Sequence, residues 1–194
     1  TIVDQVITVN SAATISVDTA NLLEATTTGV VTASIATTEA VSELNTLTGT
    51  NGAYTIVVAS GDATSTTAAQ LNTLNGKTTV AVNLTNVTAL AGSSLSDLET
   101  LASAINANEF SNDSGLTTIA VTDTTIDATT LASTIDSYDA IGGTTDMTLV
   151  SGATINVDAG EITEMLTDES AGRLTIVDQV ITCLLYTSPS PRDH

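Results

Sequence analysis

Carboxylates are the chemically capable side chains that this 194-residue sequence offers in number. The chain has 22 acidic residues, 3 basic residues and a formal net charge of −19. Hard cations such as Ca²⁺ are held by carboxylate and carbonyl oxygens. The aspartate pairs whose spacing would fit such a cation are Asp123 with Asp127 and Asp136 with Asp139. No segment follows the EF-hand spacing or the nonapeptide of calcium-loaded β-rolls, so the sequence predicts no cofactor and leaves calcium as the one candidate.

The sequence contains few of the side-chain combinations that an enzyme active site requires. Nucleophilic catalysis needs a base that takes the proton from Ser or Thr, and the only histidine is His194. Glu161 and Glu164 are one helical turn apart, and paired carboxylates carry out glycoside hydrolysis. Sugar-cleaving sites also use aromatic platforms, which are scarce in a chain with 2% aromatic residues. We therefore predict no enzymatic activity and expect such pairs to be solvated or to lie at helix starts.

Charge and hydropathy exclude two classes of partner. A net charge of −19 repels the polyanionic backbone of nucleic acids. No glycine-rich phosphate-binding motif stands between a strand and a helix, and Gly142-Gly143 is interpreted as a turn. No apolar run reaches the length that spans a bilayer. We predict neither nucleic-acid binding nor membrane insertion.

The rare residue types gather at the end of the chain. They are Cys183, Pro189, Pro191 and His194. Residues 183–193 read Cys-Leu-Leu-Tyr-Thr-Ser-Pro-Ser-Pro-Arg-Asp, which resembles an in-frame translation of a transposon-based sequencing adapter. The resemblance implies that residues 183–194 are a non-native, disordered tail. The remaining residues 1–182 contain no Cys, His or Pro, which excludes a disulfide scaffold.

The sequence contains internal repeats, and their spacing predicts how the helices and strands that position the carboxylates are arranged. Residues 1–8 (TIVDQVIT) recur without a change as residues 175–182, a separation of 174. Residues 11–18 align with residues 151–158, a separation of 140. The two separations differ by 34 residues, a suitable length for one coil of a repeat architecture.

Each unit is predicted to hold a strand followed by a helix. Runs rich in β-branched residues favour strands at residues 14–17, 54–58, 79–82, 117–121 and 154–157. Apolar residues then recur at three- and four-residue steps, as on one helix face, most regularly at Leu95, Leu98, Leu101, Ala102 and Ile105. The predicted N-terminal caps are Ser94 with Asp97 and Asp158 with Glu161. The predicted left-handed C-terminal positions are Gly29, Gly49, Gly76 and Gly172.

The spacing of these helices predicts the fold. Equivalent helix positions are Leu44, Leu71, Leu98, Leu131 and Ile162, separated by 27, 27, 33 and 31 residues. Because short helices and short strands are not stable alone, the units must stack around a narrow core, which we expect to consist of Val, Ile, Leu and Ala rather than aromatic rings. We predict an α/β solenoid with a parallel sheet on one side and short helices on the other. The alternative is a parallel β-solenoid, or β-helix, in which the helical segments are loops; a compact two-layer domain is disfavoured by the 174-residue recurrence.

The domain prediction is one repeat array over residues 1–182, with coils of 22–34 residues. Residues 175–182 open a unit that the adapter-like tail interrupts, and residue 1 is Thr rather than Met. We therefore expect the array to be truncated at both ends. Unpaired strand edges associate readily, so self-association through the ends of the array or its sheet edges is expected.

Residues 1–182 contain Asp-Thr strand ends, Leu-Asn-Thr-Leu helix ends and Thr/Ala-rich spacers. In this style of repeat the chain resembles the repeat regions of giant acidic bacterial surface or secreted proteins of the marine and cyanobacterial type. The resemblance implies an extracellular or cell-surface location and a structural or adhesive role. The alternative is a ligand-binding module for calcium, carbohydrate or ice. Ice binding would need threonine rows at one strand position, but the Thr-x-Thr pairs at residues 26–28, 46–48, 64–66 and 122–124 fall at helix ends and turns.

Overall fold

The computed structural model describes residues 3–141 and 145–183. The predicted turn at Gly142-Gly143 and residues 184–194 of the predicted tail lie outside the described residues. Within them the chain alternates strands and helices. The strands are β1 (Ile7–Thr8), β2 (Thr14–Ile15), β3 (Val31–Ile35), β4 (Ala53–Thr55), β5 (Val82–Asn83), β6 (Ala89–Ser93), β7 (Phe110–Ser111), β8 (Thr118–Val121), β9 (Thr125–Asp127), β10 (Asp146–Leu149), β11 (Thr154–Val157), β12 (Leu174–Thr175) and β13 (Val180–Cys183). The helices are α1 (Val17–Glu24), α2 (Val41–Leu44), α3 (Ala68–Asn75), α4 (Leu95–Asn106), α5 (Ala128–Asp139) and α6 (Glu161–Ser170), and a 3₁₀ turn spans Ser60–Asp62.

All the strand pairs found among the described residues are parallel. Neighbouring strands follow the orders β1-β3-β2, with β4 also on β3, then β5-β7, β6-β8-β10-β12 and β9-β11-β13. Paired residues are between 20 positions apart, as for Thr14 with Ser34, and 29 positions apart, as for Ala89 with Thr118. The chain is thus a mixed α/β fold with parallel sheets, as predicted. Each strand pairs with one from an adjacent strand–helix unit, because parallel neighbours need a crossover between them.

The β-branched runs predict some strands more closely than others. The strands at Thr118–Val121 and Thr154–Val157 are confirmed. The run at residues 14–17 ends early, because the Ser16 hydroxyl accepts a hydrogen bond from the Thr19 N–H and α1 begins at Val17. The run at residues 54–58 is β4 followed by a single bridge at Val57. The prediction for residues 79–82 is wrong except at its last residue, where β5 begins.

The predicted apolar face of α4 is confirmed, whereas the predicted left-handed conformation is wrong at three of the four glycines. All five predicted face residues of α4 are buried, and Ser94 accepts a hydrogen bond from the Asp97 N–H. Asp158 likewise accepts from the Glu161 N–H, at the start of α6. A positive φ occurs at Gly172 (72°) but not at Gly29, Gly49 or Gly76. At Gly29 glycine serves close packing instead, because a Cβ would collide with the carbonyl oxygen of Gln5.

One continuous hydrophobic core runs through every unit. Four of the equivalent helix positions are buried in it, namely Leu44, Leu71, Leu98 and Leu131, while Ile162 is partly buried against it. The expectation of a core without aromatic rings is wrong, because Tyr54, Phe110 and Tyr138 are all buried. Aromatic rings bury a large apolar area each, and a close-packed core can include them where the space allows.

Candidate functional site

Asp123, the first of the four candidate calcium ligands, contacts a helix of the preceding unit. Its Oδ2 atom accepts a hydrogen bond of 2.8 Å from the backbone N–H of Leu95, the first residue of α4. The first N–H groups of a helix have no partner within the helix, and the helix dipole favours a negative charge there. Asp123 therefore caps a helix that begins 28 residues earlier in sequence.

Asp127, its predicted companion, is the N-cap of a different helix. The Oδ1 atom of Asp127 accepts hydrogen bonds from the backbone N–H of Thr130 at 3.0 Å and from its hydroxyl at 3.3 Å. Asp123 and Asp127 thus serve α4 and α5 respectively. Within residues 3–141 and 145–183, no group of three or more His, Cys, Asp or Glu side chains could hold a metal ion.

Asp136 and Asp139, the second predicted pair, lie on α5 beside an ion-pair cluster. Nη1 of Arg173 is 3.2 Å from Oδ2 of Asp139, and Nη2 is 2.6 Å from Oδ1 of Asp168. Asp168 lies on α6 and is 3% exposed. Burial raises the pKa of its carboxyl, the positive charge of Arg173 opposes that rise, and Asp136 and Glu164 add to it. We call Asp139, Asp168 and Arg173 the arginine cluster; it ties α5, α6 and the chain before β12 together.

In three more helices, the first backbone N–H donates a hydrogen bond to a side-chain oxygen of the following unit. These inter-unit caps run from the Val17 N–H to Glu39 at 3.2 Å, from the Val41 N–H to Asp62 at 2.8 Å, and from the Ala68 N–H to the Ser93 hydroxyl at 2.9 Å. The partners are 22, 21 and 25 residues apart. Sequence reasoning missed them, although the signal is present: an acidic or hydroxyl residue stands about one unit after each helix start.

Asparagine side chains make a second recurring contact between units. The Nδ2 atoms donate from Asn21 to the Thr46 carbonyl at 3.1 Å, from Asn45 to the Gln70 carbonyl at 3.1 Å and from Asn72 to the Asp97 carbonyl at 2.9 Å. In each case the partner is 25 residues further along the chain. We call these three residues the inter-unit asparagines. They hold α1 to α4 in order through hydrogen bonds between consecutive units.

The two buried tyrosines also link elements that are distant in sequence. The Tyr54 hydroxyl donates to Glu24 at 2.5 Å, and the Tyr138 hydroxyl donates to the Leu98 carbonyl at 3.0 Å. The pKa of Tyr54 is raised well above its ordinary value, first by burial and then by the Glu24 carboxylate. The pKa of Tyr138 is raised by burial. Both hydroxyls therefore stay protonated and act as hydrogen-bond donors in the fold.

Several of the threonines considered for ice binding hydrogen-bond within the protein through their hydroxyls. The hydroxyls of Thr26, Thr46 and Thr66 donate to backbone carbonyls three or four residues earlier, at 2.7, 2.6 and 2.9 Å. The Thr48 hydroxyl donates to Asn21 at 3.2 Å. The hydroxyls of Thr26, Thr46 and Thr66 thus close turns that follow a helix or a 3₁₀ turn, where hydroxyls bind backbone groups.

The surface carries two shallow grooves beside α3 and α4. One of about 240 Å³ is lined by residues that include Thr78 and Asn108, and the other, of about 280 Å³, by residues that include Thr100 and Ser103. Asn75 and Glu109 line both grooves and are hydrogen-bonded to each other. Amide, hydroxyl and carboxylate groups of this kind can bind polar groups.

In the part of the chain that the structure describes, no helix is both long and apolar enough to span a bilayer. The contacts that recur along the chain are those between successive units, namely parallel ladders, inter-unit caps and inter-unit asparagines. Comparison of the chain with protein-family models, with curated proteins and with solved structures finds no match.

Proposed function

We propose that this chain is a non-enzymatic structural or adhesive repeat segment of a larger extracellular bacterial protein, built as an α/β solenoid. The observation that carries the proposal is the inter-unit cap. At four helix starts, a side-chain oxygen 21 to 28 residues further on accepts the first helical N–H. A contact that recurs with the period of the strand pairing is what stacked coils require, because each coil then contacts only its neighbours.

The inter-unit caps also assign a structural role to three of the acidic side chains. Glu39, Asp62 and Asp123 neutralise helix N-termini, where a carboxylate is favourable. The remaining negative charge favours solubility. Such a chain suits an extended spacer with a long contact surface, whereas a catalytic site would need converging groups of different chemistry.

Removing one unit tests the solenoid. Val57 bridges to Asn83 in the same parallel sense as the strands, so deletion of residues 58–83 joins two equivalent positions and removes one turn. We expect the shortened chain to keep its circular dichroism per residue and to unfold cooperatively, with a modestly lower melting temperature, since stability in repeat arrays is a sum over units and their interfaces.

The matched control removes half a unit. Deletion of residues 71–83 discards most of α3 and β5 and leaves neighbouring coils without a helix to pack on. We expect this shorter deletion to be the more damaging one, with loss of cooperative unfolding. If deletion of residues 58–83 unfolds the protein as completely as the half-unit deletion, the units do not stack as coils and the proposal fails.

The extracellular array is tested on the parent gene. Long-read sequencing of the source DNA is expected to show an open reading frame that continues the strand–helix units on either side of residues 1–182 and carries an export signal. A short gene with stop codons just outside this window would contradict the proposal.

A further inference from the structure

Asparagine is followed directly by glycine at two places in the chain, Asn51-Gly52 and Asn75-Gly76. This dipeptide is chemically labile, because glycine carries no Cβ that would keep its backbone nitrogen away from the asparagine side chain. That nitrogen can attack the side-chain carbonyl carbon, Cγ, and close a succinimide ring. In a folded protein the attack depends on what holds the two reacting groups, and the two pairs differ in this respect.

The first pair lies in the loop before β4, where Asn51 is exposed. Before it in the chain, the Thr48 N–H donates to Asn21 at 2.9 Å. After it, the Gly52 carbonyl accepts from the Thr79 N–H at 2.9 Å. Within the described part of the chain, no hydrogen bond is found for the Asn51 side chain or for the Gly52 N–H. No protein partner therefore holds the Gly52 nitrogen away from Cγ of Asn51.

In the second pair both reacting groups are hydrogen-bonded. Asn75 is the last residue of α3, and its side-chain amide donates to Glu109. The Gly76 N–H donates to the Thr73 carbonyl at 3.2 Å. The attack would require both hydrogen bonds to break and the end of α3 to unwind. Asn75 is thus an internal control with the same dipeptide sequence.

The core requires the glycine of the first pair. Gly52 is buried, and a Cβ at this position would collide with the ring of Tyr54. Tyr54 is itself fully buried, and its hydroxyl donates to Glu24 at 2.5 Å. Packing against the ring therefore fixes glycine at position 52, whereas no contact in the described part of the chain requires an amide at position 51.

We propose that Asn51 is a site of spontaneous deamidation in the folded protein, where water converts it to aspartate and isoaspartate, and that Asn75 is protected. The Gly52 nitrogen gives its proton to hydroxide and attacks Cγ of Asn51. The N–Cγ bond forms, the Cγ–Nδ2 bond breaks, and the amide nitrogen leaves as ammonia with a proton taken from water. The succinimide then adds water at either ring carbonyl and opens. Overall, water is consumed and ammonia is released in equal amounts, without oxidation or reduction.

The isoaspartate product changes the backbone as well as the charge. When water opens the ring at the main-chain carbonyl, Gly52 stays attached through Cγ, so the backbone becomes one methylene group longer and gains a carboxylate. The insertion lies directly before Gly52, whose carbonyl binds Thr79 and which lies against the Tyr54 ring. The modified protein is expected to have a lower melting temperature, because close-packed groups do not tolerate such a shift without loss of contacts.

The test follows both asparagines in the same protein. The full chain is incubated at mildly alkaline pH and then cleaved after Glu43 and Tyr54, so that Asn51 and Asn75 fall in different peptides. Tandem mass spectrometry measures deamidation in each peptide, and labelling by an isoaspartyl methyltransferase identifies isoaspartate. We expect Asn75 to react more slowly by a factor of about ten or more, because two hydrogen bonds must break first. In urea the two rates should become similar.

Variants at position 51 separate the reaction from its effect on the fold. Asn51→Ser has no side-chain carbonyl to attack, and Asn51→Asp introduces the charge on an unaltered backbone; freshly prepared, both are expected to keep the wild-type melting temperature. After incubation the melting temperature should fall in the wild type and stay constant in Asn51→Ser. Equal rates at Asn51 and Asn75 in the folded chain, or an Asn51 that reacts in urea but not in the folded protein, would overturn the proposal.

Discussion

Arg173 balances carboxylates from two helices. Lys77 and Arg173 are the only basic residues before residue 183, and Arg173 is the one in the arginine cluster. Its guanidinium reaches the buried Asp168 and the partly exposed Asp139. Removing one partner of a buried pair leaves a charge without compensation, which costs more than the pair itself contributes.

We expect Arg173→Gln to lower the free energy of unfolding at neutral pH by about 2 kcal/mol, a value below that of fully buried pairs because the guanidinium is partly exposed. The matched control is Lys77→Gln, which removes the same charge elsewhere. Urea unfolding of both variants measures the effect. Equal losses in the two variants would show that net charge, rather than the arginine cluster, is responsible.

The pH dependence follows from the raised pKa of Asp168. A carboxyl whose pKa is higher in the folded than in the unfolded protein favours folding while it is protonated. Its contribution is complete below the ordinary value of 3.8 and is lost as the pH rises through the raised value. We therefore expect the stability of the wild type relative to Asp168→Asn to fall as the pH rises from about 3.8. In Arg173→Gln this fall should extend to higher pH, because Arg173 lowers the pKa of Asp168; thermal unfolding across a pH series checks both.

Asp123 is expected to matter as a helix cap. Asp123→Ala removes the acceptor of the Leu95 N–H and should lower the free energy of unfolding by about 1 kcal/mol, equally in calcium and in chelator. Asp136→Ala is the control, since it removes another candidate calcium ligand but no cap. A calcium-induced rise in the melting temperature that disappears in either variant would establish a calcium site at that residue instead.

At the scale of elements, the junction between α3 and α4 depends on an amide as well as on apolar packing. The Asn72 side chain donates to the Asp97 carbonyl at 2.9 Å, while the apolar faces of both helices enter the core. An element of this length is only marginally stable alone. Its position is therefore fixed by contacts with the next unit rather than by its own sequence.

Asn72→Ala is expected to lower the free energy of unfolding by about 1 kcal/mol, because an inter-unit hydrogen bond is lost while helix propensity rises slightly. Asn106→Ala, at an exposed helical position, gains the same propensity and should be neutral or stabilising. Chemical denaturation of the two variants measures the difference. Equal stability of the two would show that the inter-unit asparagine adds nothing to the junction.

At the scale of the whole molecule, the continuous core predicts that the units unfold together. Leu98 is fully buried near the middle of the chain, and its backbone carbonyl accepts from Tyr138. Leu98→Ala should lower the free energy of unfolding by about 3 kcal/mol, the usual cost of a core leucine. Far-ultraviolet circular dichroism and tyrosine absorbance should still give one coincident transition. Two separate transitions would show that the array divides into independent halves.

Local patterns in the sequence predict much of the secondary structure. The three- and four-residue spacing of Leu95, Leu98 and Leu101 predicts the buried face of α4, and Ser94 predicts its start. Both depend on groups within one turn of the chain, so the tertiary structure has little to add. The parallel pairing is likewise predictable, since strands separated by helices return in the same direction.

The sequence by itself thus determined the α/β class, the parallel sense of the strands and most of the helix faces, because these follow from periodicity and from caps within a few residues. Only the tertiary structure decided what the acidic side chains contact. Asp123 reaches a helix start 28 residues away, and Asp168 meets an arginine that the helix spacing does not predict. It also decided that Tyr54 and Tyr138 are core residues. These contacts depend on how many residues separate one unit from the next. Because paired residues are between 20 and 29 positions apart, the sequence alone does not predict that number for each unit.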